Sequence, residues 1–388
     1  MDFFQFKSPT KIVFNPGISK DFGSELDLIP IQKYFIITDK IISDLKLIDP
    51  IVEGIQNTGR EVVGIFTDVP PDSGVKVIEK CASLAKESGA EGFIAVGGGS
   101  VMDTAKGVNL LFTLGGNLKE DYSGSQTIPQ DLSPLIAIPT TAGTGSEVTE
   151  VMVIYDDETQ TKLGFADVHL LPTMTLLDPE LTTGLPPKIT AATGLDALTH
   201  AIESVMSVQK APIPYALATQ AISLIFKNLV AAVEDGSDIE ARGGMLVAST
   251  MAGMAFNHSM VGVVHCVAHT IGAMYHVHHG TANGIFLAEG MRYNLDCRES
   301  EIASLAPFMG VVPQGSERAI AEACIVRVEA LVQELNKVCG FPMRYRDIGI
   351  PQEALEKIAE KAPEDGSSFY NPREVVAADL LPFLEKAW

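Results

Sequence analysis

The stretch EGFIAVGGGSVMDTAKGVNLLF, residues 91–112, decides the fold. Phe93-Ile94-Ala95-Val96 is a short, fully apolar run that reads as a buried strand. It runs directly into Gly97-Gly98-Gly99-Ser100, and VMDTAKGVNLLF then takes helical spacing. A strand, a glycine turn and a helix in that order form half of a βαβ unit. The glycines let the backbone approach a phosphate closely, and the helix start offers free N–H groups to an anion. The pattern is neither G-x-G-x-x-G nor a Walker A sequence. The same residues also make a tight strand-to-helix turn with Ser100 as N-cap, so this loop alone leaves both uses open.

The flanking sequence repeats the pattern. KYFIITD (33–39) reads as a buried parallel strand, GIQNTGREVVGIF ends a helix and then forms a strand ending near Phe66, and VIEKCASLAKESGA (77–90) is helical. PLIAIPTTAGTGSE (134–147) is another strand running into a loop rich in hydroxyl and N–H donors, including Thr140, Thr141 and Thr144. Such a loop suits a diphosphate or ribose, although Ser146, Glu147 and Thr149 also suit a capped helix start. Two such loops at the carboxyl ends of parallel strands carry more weight than one, because open α/β sheets bind ligands there. Asp39 closes its strand, placed either to accept from ribose hydroxyls, favouring NAD over NADP, or to cap a following helix.

After about Leu181 the character changes. A Pro-Pro break in TGLPPKITAATGLDALTHAIESVM leads into helical periodicity that continues almost to Trp388, as in ATQAISLIFKNLVAAVED, RAIAEACIVRVEALVQELNKVCG and PREVVAADLLPFLEKAW. The expected fold is an α/β N-terminal domain with a Rossmann-like parallel sheet over residues 1–181, followed by an all-helical domain over residues 182–388. The second domain is expected to carry the metal and the catalysis.

Six of the eight histidines lie between His258 and His279. Asp196 and His200 are four apart on a predicted helix and share one face; His265 and His269 have the same spacing, and His279 follows a short connection. One Asp with several His suits Fe²⁺ or Zn²⁺. Glu203, one turn beyond His200, is a candidate partner for a ligand but reads more readily as an exposed helix carboxylate. His258, His276 and His278 remain without an assigned role, at least two of them as ordinary loop histidines.

Composition narrows the partners. A net charge of -21 disfavours nucleic acid and anionic membrane surfaces. Five cysteines without a C-x-x-C pair argue against a disulfide framework, so a reducing cytoplasm is the expected compartment. The N-terminus MDFFQFKSP lacks a signal-peptide pattern, and no run is expected to approach the roughly 20 apolar residues of a membrane span.

At this point the chain resembles the iron-containing (group III) alcohol dehydrogenase family over nearly its whole length. GGGSVMDTAK, IPTTAGTGSEVT, LPPKITAATGLDALTHAIE and GVVHCVAHTIGAMYHVHHGTANGI carry the resemblance, in order and at family spacing. It implies a dehydroquinate synthase-like fold and metal ligands at Asp196, His200, His265 and His279. It makes His269 a proton-relay candidate beside the metal. It implies dinucleotide contacts from Gly97, Gly98, Gly99, Ser100, Asp103, Thr140, Thr141, Thr144 and Lys162, with Asp39 at the position associated with NAD preference. The implied reaction is reversible, NAD(H)-linked oxidation of a small primary alcohol or diol to an aldehyde at a divalent metal in an interdomain cleft, by a homodimer or higher homo-oligomer. The chain departs from the family's common wording at His269-Thr270, His276-Val277-His278, Phe256-Asn257-His258 and Pro71-Asp72-Ser73-Gly74. Two rivals keep parts of this picture: a zinc glycerol dehydrogenase or other dehydroquinate synthase-like enzyme, and an Asp/His metallohydrolase without nucleotide.

Overall fold

A computed structural model of the chain describes residues 3–156, 158 and 161–388. The chain divides into two compact units. One comprises Ser8–Thr141 and Gly145–Thr183; the other comprises Gly184–Trp388 with Ala142–Thr144 and the N-terminal residues up to Lys7.

The first unit holds strands β1 (Lys11–Phe14), β2 (Lys33–Thr38), β3 (Glu61–Phe66), β4 (Gly92–Gly97), β5 (Gly124–Ser125), β6 (Leu135–Pro139), β7 (Val151–Asp156), β8 (Thr161–Ala166) and β9 (Met174–Leu177). Its helices are α1 (Gly23–Leu26), α2 (Lys40–Asp44), α3 (Asp49–Gln56), α4 (Val75–Glu87), α5 (Gly99–Leu114) and α6 (Leu118–Tyr122). Six strands form one sheet in the order β1-β9-β6-β4-β2-β3, with every pairing parallel. Alternation within each strand explains why both faces are covered. Phe35 and Ile37 of β2, with Phe93 and Ala95 of β4, enter one core; Tyr34, Ile36, Ile94 and Val96 enter the other. A strand apolar on both sides cannot face water on either, so helices must cover both faces.

A second sheet, β5-β8-β7, was not anticipated from the sequence. Strands β7 and β8 pair antiparallel from Val151↔Ala166 to Asp156↔Thr161. The period-two pattern of VMVIYD, with Met152 and Ile154 buried, is the signal that marks it.

The second unit is helical: α7 (Pro187–Met206), α8 (Pro212–Glu234), α9 (Ile239–Ser259), α10 (Val263–Tyr275), α11 (His279–Ala303), α12 (Glu317–Cys339), α13 (Leu355–Lys361) and α14 (Ala377–Ala387). Every residue of α7 from Thr190 to Met206 is buried, so this helix runs through the centre of its core. The expected fold class is therefore the observed one.

Two local expectations change. The last helix begins at Ala377 and not at Pro372, because Asn371 and its neighbours are tied elsewhere by side-chain bonds to Asn294 and Val263. Among the described residues one helix, α8, is after all long and apolar enough to cross a membrane. Its apolar face, including Ala221, Ile222, Ile225 and Leu229, lies in the protein core beside residues of α7 and α9.

Candidate metal centre and nucleotide-binding edge

Helix α7 places Asp196 and His200 one turn apart. A bend of 103° separates α9 from α10, and it aims the start of α10 at α7. At the bend Met260 adopts a left-handed φ of 61°. Gly262 is required on steric grounds, since a Cβ there would stand 2.6 Å from Asn371 Oδ1 and 3.2 Å from Glu203 Oε1. Those same oxygens satisfy the free N–H groups of the new helix: Asn371 accepts from Val263 and Glu203 from Val264. His265 follows on α10, and His279 opens α11.

One ligand atom from each of Asp196, His200, His265 and His279 can be chosen so that all four lie within 4.8 Å of one another. Asp196, His200 and His265 are buried, and His279 is partly so. Two of the imidazoles and the carboxylate are held in the forms that bind a cation. Burial pulls His200 down to about 4 and His279 well below the ordinary imidazole value, so both are neutral with a lone pair available. Burial alone would raise the Asp196 carboxyl, but the three surrounding imidazoles and the Asn283 amide outweigh it and hold it at about 2. Burial also works against a charged His265, but Glu203 outweighs it and the net shift is upward. The Nδ1 of His200 is buried without a partner among the described residues. An orphaned imidazole nitrogen in a set of three imidazoles and one carboxylate fits Fe²⁺ or Zn²⁺.

Glu203 corrects the sequence expectation of an exposed carboxylate. It is buried, and its Oε2 lies 2.6 Å from His265 Nδ1. A bond there fixes the proton on Nδ1 and leaves Nε2 free to donate a lone pair. His269 stands outside the four-residue group, its ring centroid 5.1 Å from that of His279. Its Nδ1 lies 2.9 Å from Asp365 Oδ2. The aromatic face of Phe256 stacks on His200 at 4.3 Å. His258 instead meets Phe6, Lys7 and Met254; His276 caps the end of α10 and His278 precedes α11. Sequence reading missed Asn283, which lies one turn after His279 and was findable by that spacing. It also missed Asp365, for which a non-periodic loop offers no signal.

In the sheet unit, the C-terminal ends of β2, β4 and β6 lie side by side. Asp39 follows β2, Gly97–Ser100 follow β4, and Thr140 and Thr141 follow β6. The chain leaves β2 toward β3 on one side and leaves β4 toward β6 on the other, which makes the β2/β4 crevice a topological switch point. Thr140 N–H donates to Gly97 O, and a Cβ on Gly98 would come within 3.2 Å of the Thr141 side chain. The N-cap of α5 is Gly98 without any side-chain cap, so Ser100 does not cap; its hydroxyl accepts from Asp72 N–H. Lys162 reaches the same corner, with Nζ 2.8 Å from Asp72 Oδ1. Asp39 does cap α2, accepting from Ile42 N–H at 2.9 Å. Asp103 is turned into the protein, accepting from Ser146 Oγ and Val153 N–H, and burial raises its carboxyl. Thr144 belongs to the Ala142–Thr144 segment grouped with the helices.

The chain thus joins a parallel sheet, with glycine- and threonine-bearing loops at its C-terminal edge, to a carboxylate–imidazole group that fits a divalent metal. Residues 9–179 match the family described as iron-containing alcohol dehydrogenase, and residues 190–388 match the C-terminal part of the Fe-containing alcohol dehydrogenase family. The chain is 35% identical over 383 residues to the NAD-dependent methanol dehydrogenase of Bacillus methanolicus, covering 98% of this chain and 99% of the relative. It is 36% identical over 388 residues to the 1,3-propanediol dehydrogenase of Klebsiella pneumoniae, covering 99% of each. A crystal structure of 1,3-propanediol oxidoreductase superposes with a TM-score of 0.95 at 34% identity, covering both chains entirely. The chain belongs to the iron-containing alcohol dehydrogenase family.

Proposed function

We propose that the protein catalyses reversible, NAD(H)-linked oxidation of a small primary alcohol or diol to an aldehyde, with Asp196, His200, His265 and His279 holding a divalent metal. The convergence of those four side chains within 4.8 Å carries the reading. The similarity to a methanol and a 1,3-propanediol dehydrogenase supports a small alcohol.

When bound, the cation (Fe²⁺, with Zn²⁺ as the alternative this donor set accepts) supplies Lewis-acid polarisation of the alcohol oxygen, and NAD⁺ supplies the hydride acceptor. The chain's own groups do the rest. Glu203 keeps His265 in the ligating tautomer. Asp365 orients His269, which stands beside His279 and is placed to take up the proton the alcohol releases. Gly97–Ser100 and Thr140–Thr141 receive the diphosphate, and Asp39 receives the adenosine ribose. Lys162 and Asp72 close that corner beside Ser100.

Further proposals concern context. Cys81, Cys266 and Cys324 are free and buried, which supports a reducing, cytoplasmic setting. We also propose a homodimer: edge strand β1 leaves Ile12 and Phe14 exposed, an apolar face for a second copy to bury.

The test is steady-state NADH formation by chelator-stripped protein reloaded with Fe²⁺ or Zn²⁺, across a panel of alcohols and diols. The expected result is metal-dependent turnover that His279→Ala abolishes while the fold is retained. Absence of turnover with either metal, together with no change in NADH fluorescence on mixing, would sink the reading.

A further inference from the structure

Asn283 lies four residues after His279 on α11 and so shares its face. Its side chain is fully buried. Its Nδ2 stands 2.7 Å from Asp196 Oδ1, 3.1 Å from His279 Nε2 and 3.3 Å from His265 Nε2. Three of the four candidate ligands therefore meet at one amide nitrogen. Each offers that nitrogen an acceptor. Asp196 offers a carboxylate oxygen; His265 has its Nδ1 against Glu203, which leaves a lone pair on Nε2. The His279 tautomer protonated at Nδ1 presents the same lone pair at Nε2. The Asn283 Oδ1, by contrast, is buried and has no partner among the described residues. A buried amide that leaves its carbonyl unsatisfied while directing its NH₂ at three acceptors is placed for those acceptors.

We propose that Asn283 is the group that holds the ligand set together when no cation is bound, and that it competes with the cation for the same lone pairs. This rests on the reading of Asp196, His265 and His279 as metal ligands. Four electron-rich atoms this close repel one another unless a positive group sits among them. The two amide hydrogens provide partial positive charge at three of them. A cation has to take over those lone pairs, so the interaction favours the metal-free protein more than the loaded one. Thermodynamic linkage then makes Asn283 weaken metal binding.

The experiment compares wild type, Asn283→Ala and Asn283→Asp, each stripped by a chelator and titrated with Zn²⁺ alone by calorimetry. Thermal unfolding of the stripped and Zn²⁺-loaded forms is measured in parallel. Asn283→Ala is expected to lose more stability in the stripped form than in the loaded form. It should also bind Zn²⁺ tighter than wild type by roughly 10-fold, the size of one charge-assisted hydrogen bond. Asn283→Asp removes the donors and adds an anion beside Asp196, so the stripped form should suffer more and bind Zn²⁺ tighter still. Equal losses in both forms with unchanged affinity would overturn the inference and leave Asn283 a packing residue. Weaker Zn²⁺ binding by Asn283→Ala would overturn it in favour of Asn283 as a ligand. If Asn283→Ala does not fold, the Asp variant alone decides by the same two readings. Wild type that binds no Zn²⁺ would remove the metal site itself, and the inference with it; wild type that binds while the variants match it removes only the role of Asn283.

Discussion

One carboxylate joins two helices through one imidazole: Glu203 Oε2 lies 2.6 Å from His265 Nδ1, and its Oε1 accepts the Val264 N–H at 2.8 Å. Glu203 thus projects from the last turns of α7 to anchor the first turn of α10, where an anion is favoured by the helix dipole. The same contact sets which nitrogen of His265 carries the proton. Glu203→Gln tests the second effect without removing the first. Its amide oxygen can still accept from Val264, which turns the NH₂ toward His265 and drives the proton to Nε2. Metal affinity is expected to fall by roughly 10–100-fold, the usual cost of losing an orienting partner. Chelator competition measures it, and wild-type affinity in Glu203→Gln would reduce the carboxylate to a helix anchor.

His269 and His265 lie one turn apart on α10, but they should fail differently. His269 is held by Asp365, whose Oδ1 in turn accepts from Ser367 N–H, and it lies outside the four-ligand group. His269→Ala should keep its metal and lose turnover by roughly 10²–10⁴-fold, the range for loss of acid–base assistance. Elemental analysis beside kcat settles the matter: a metal-free His269→Ala protein would make His269 a ligand.

Asp39 has two uses that a single substitution to Gly would confuse, because it also caps α2. Asp39→Asn keeps an oxygen for Ile42 N–H and removes only the charge. If the carboxylate faces the adenosine ribose, the ratio of kcat/KM for NAD over NADP should fall in Asp39→Asn, with a small change in Tm. An unchanged ratio, with any loss confined to stability, assigns Asp39 to capping alone.

What was legible in the sequence follows the range of the interactions involved. Strands β2, β4 and β6 declare themselves because each is apolar on both faces, a property of five or six adjacent residues. Asp196 and His200 declare themselves by a spacing of four. Glu203 stands three positions beyond His200 yet reads as a surface residue, because the partner that buries it is 62 positions away. Asn371 shapes the start of α10 across 108 positions, and no local pattern announces it. The period-two pattern of β7 is legible, but it lies among stronger βαβ signals. Lys106 of α5 has the helical spacing of a surface lysine and is almost wholly buried.

Lys106 gives the clearest pH test. Its Nζ donates to Ser146 Oγ, to Thr149 O and Oγ1, and to Val151 O at 2.8–3.2 Å, tying α5 to the segment that follows β6. Burial pulls its pKa from 10.5 down to about 8, against the opposing pull of Asp103, Glu147 and Glu150. The folded value lies below the unfolded one, so between about pH 8 and 10.5 the unfolded chain binds the proton that the folded chain has released. Stability attributable to this group therefore rises with pH across that window. Below it the full cost of burying the charge applies; above it the cost is gone. Lys106→Met removes the titration and leaves Thr149 O and Val151 O without this donor, so it should be less stable than wild type at every pH. The wild-type advantage should widen as pH climbs from about 8 toward 10, because only wild type gains. Urea unfolding of both proteins across that range measures the difference, with all other titrating groups cancelling. A difference that stays constant with pH would show that Lys106 keeps an ordinary lysine pKa in the folded protein.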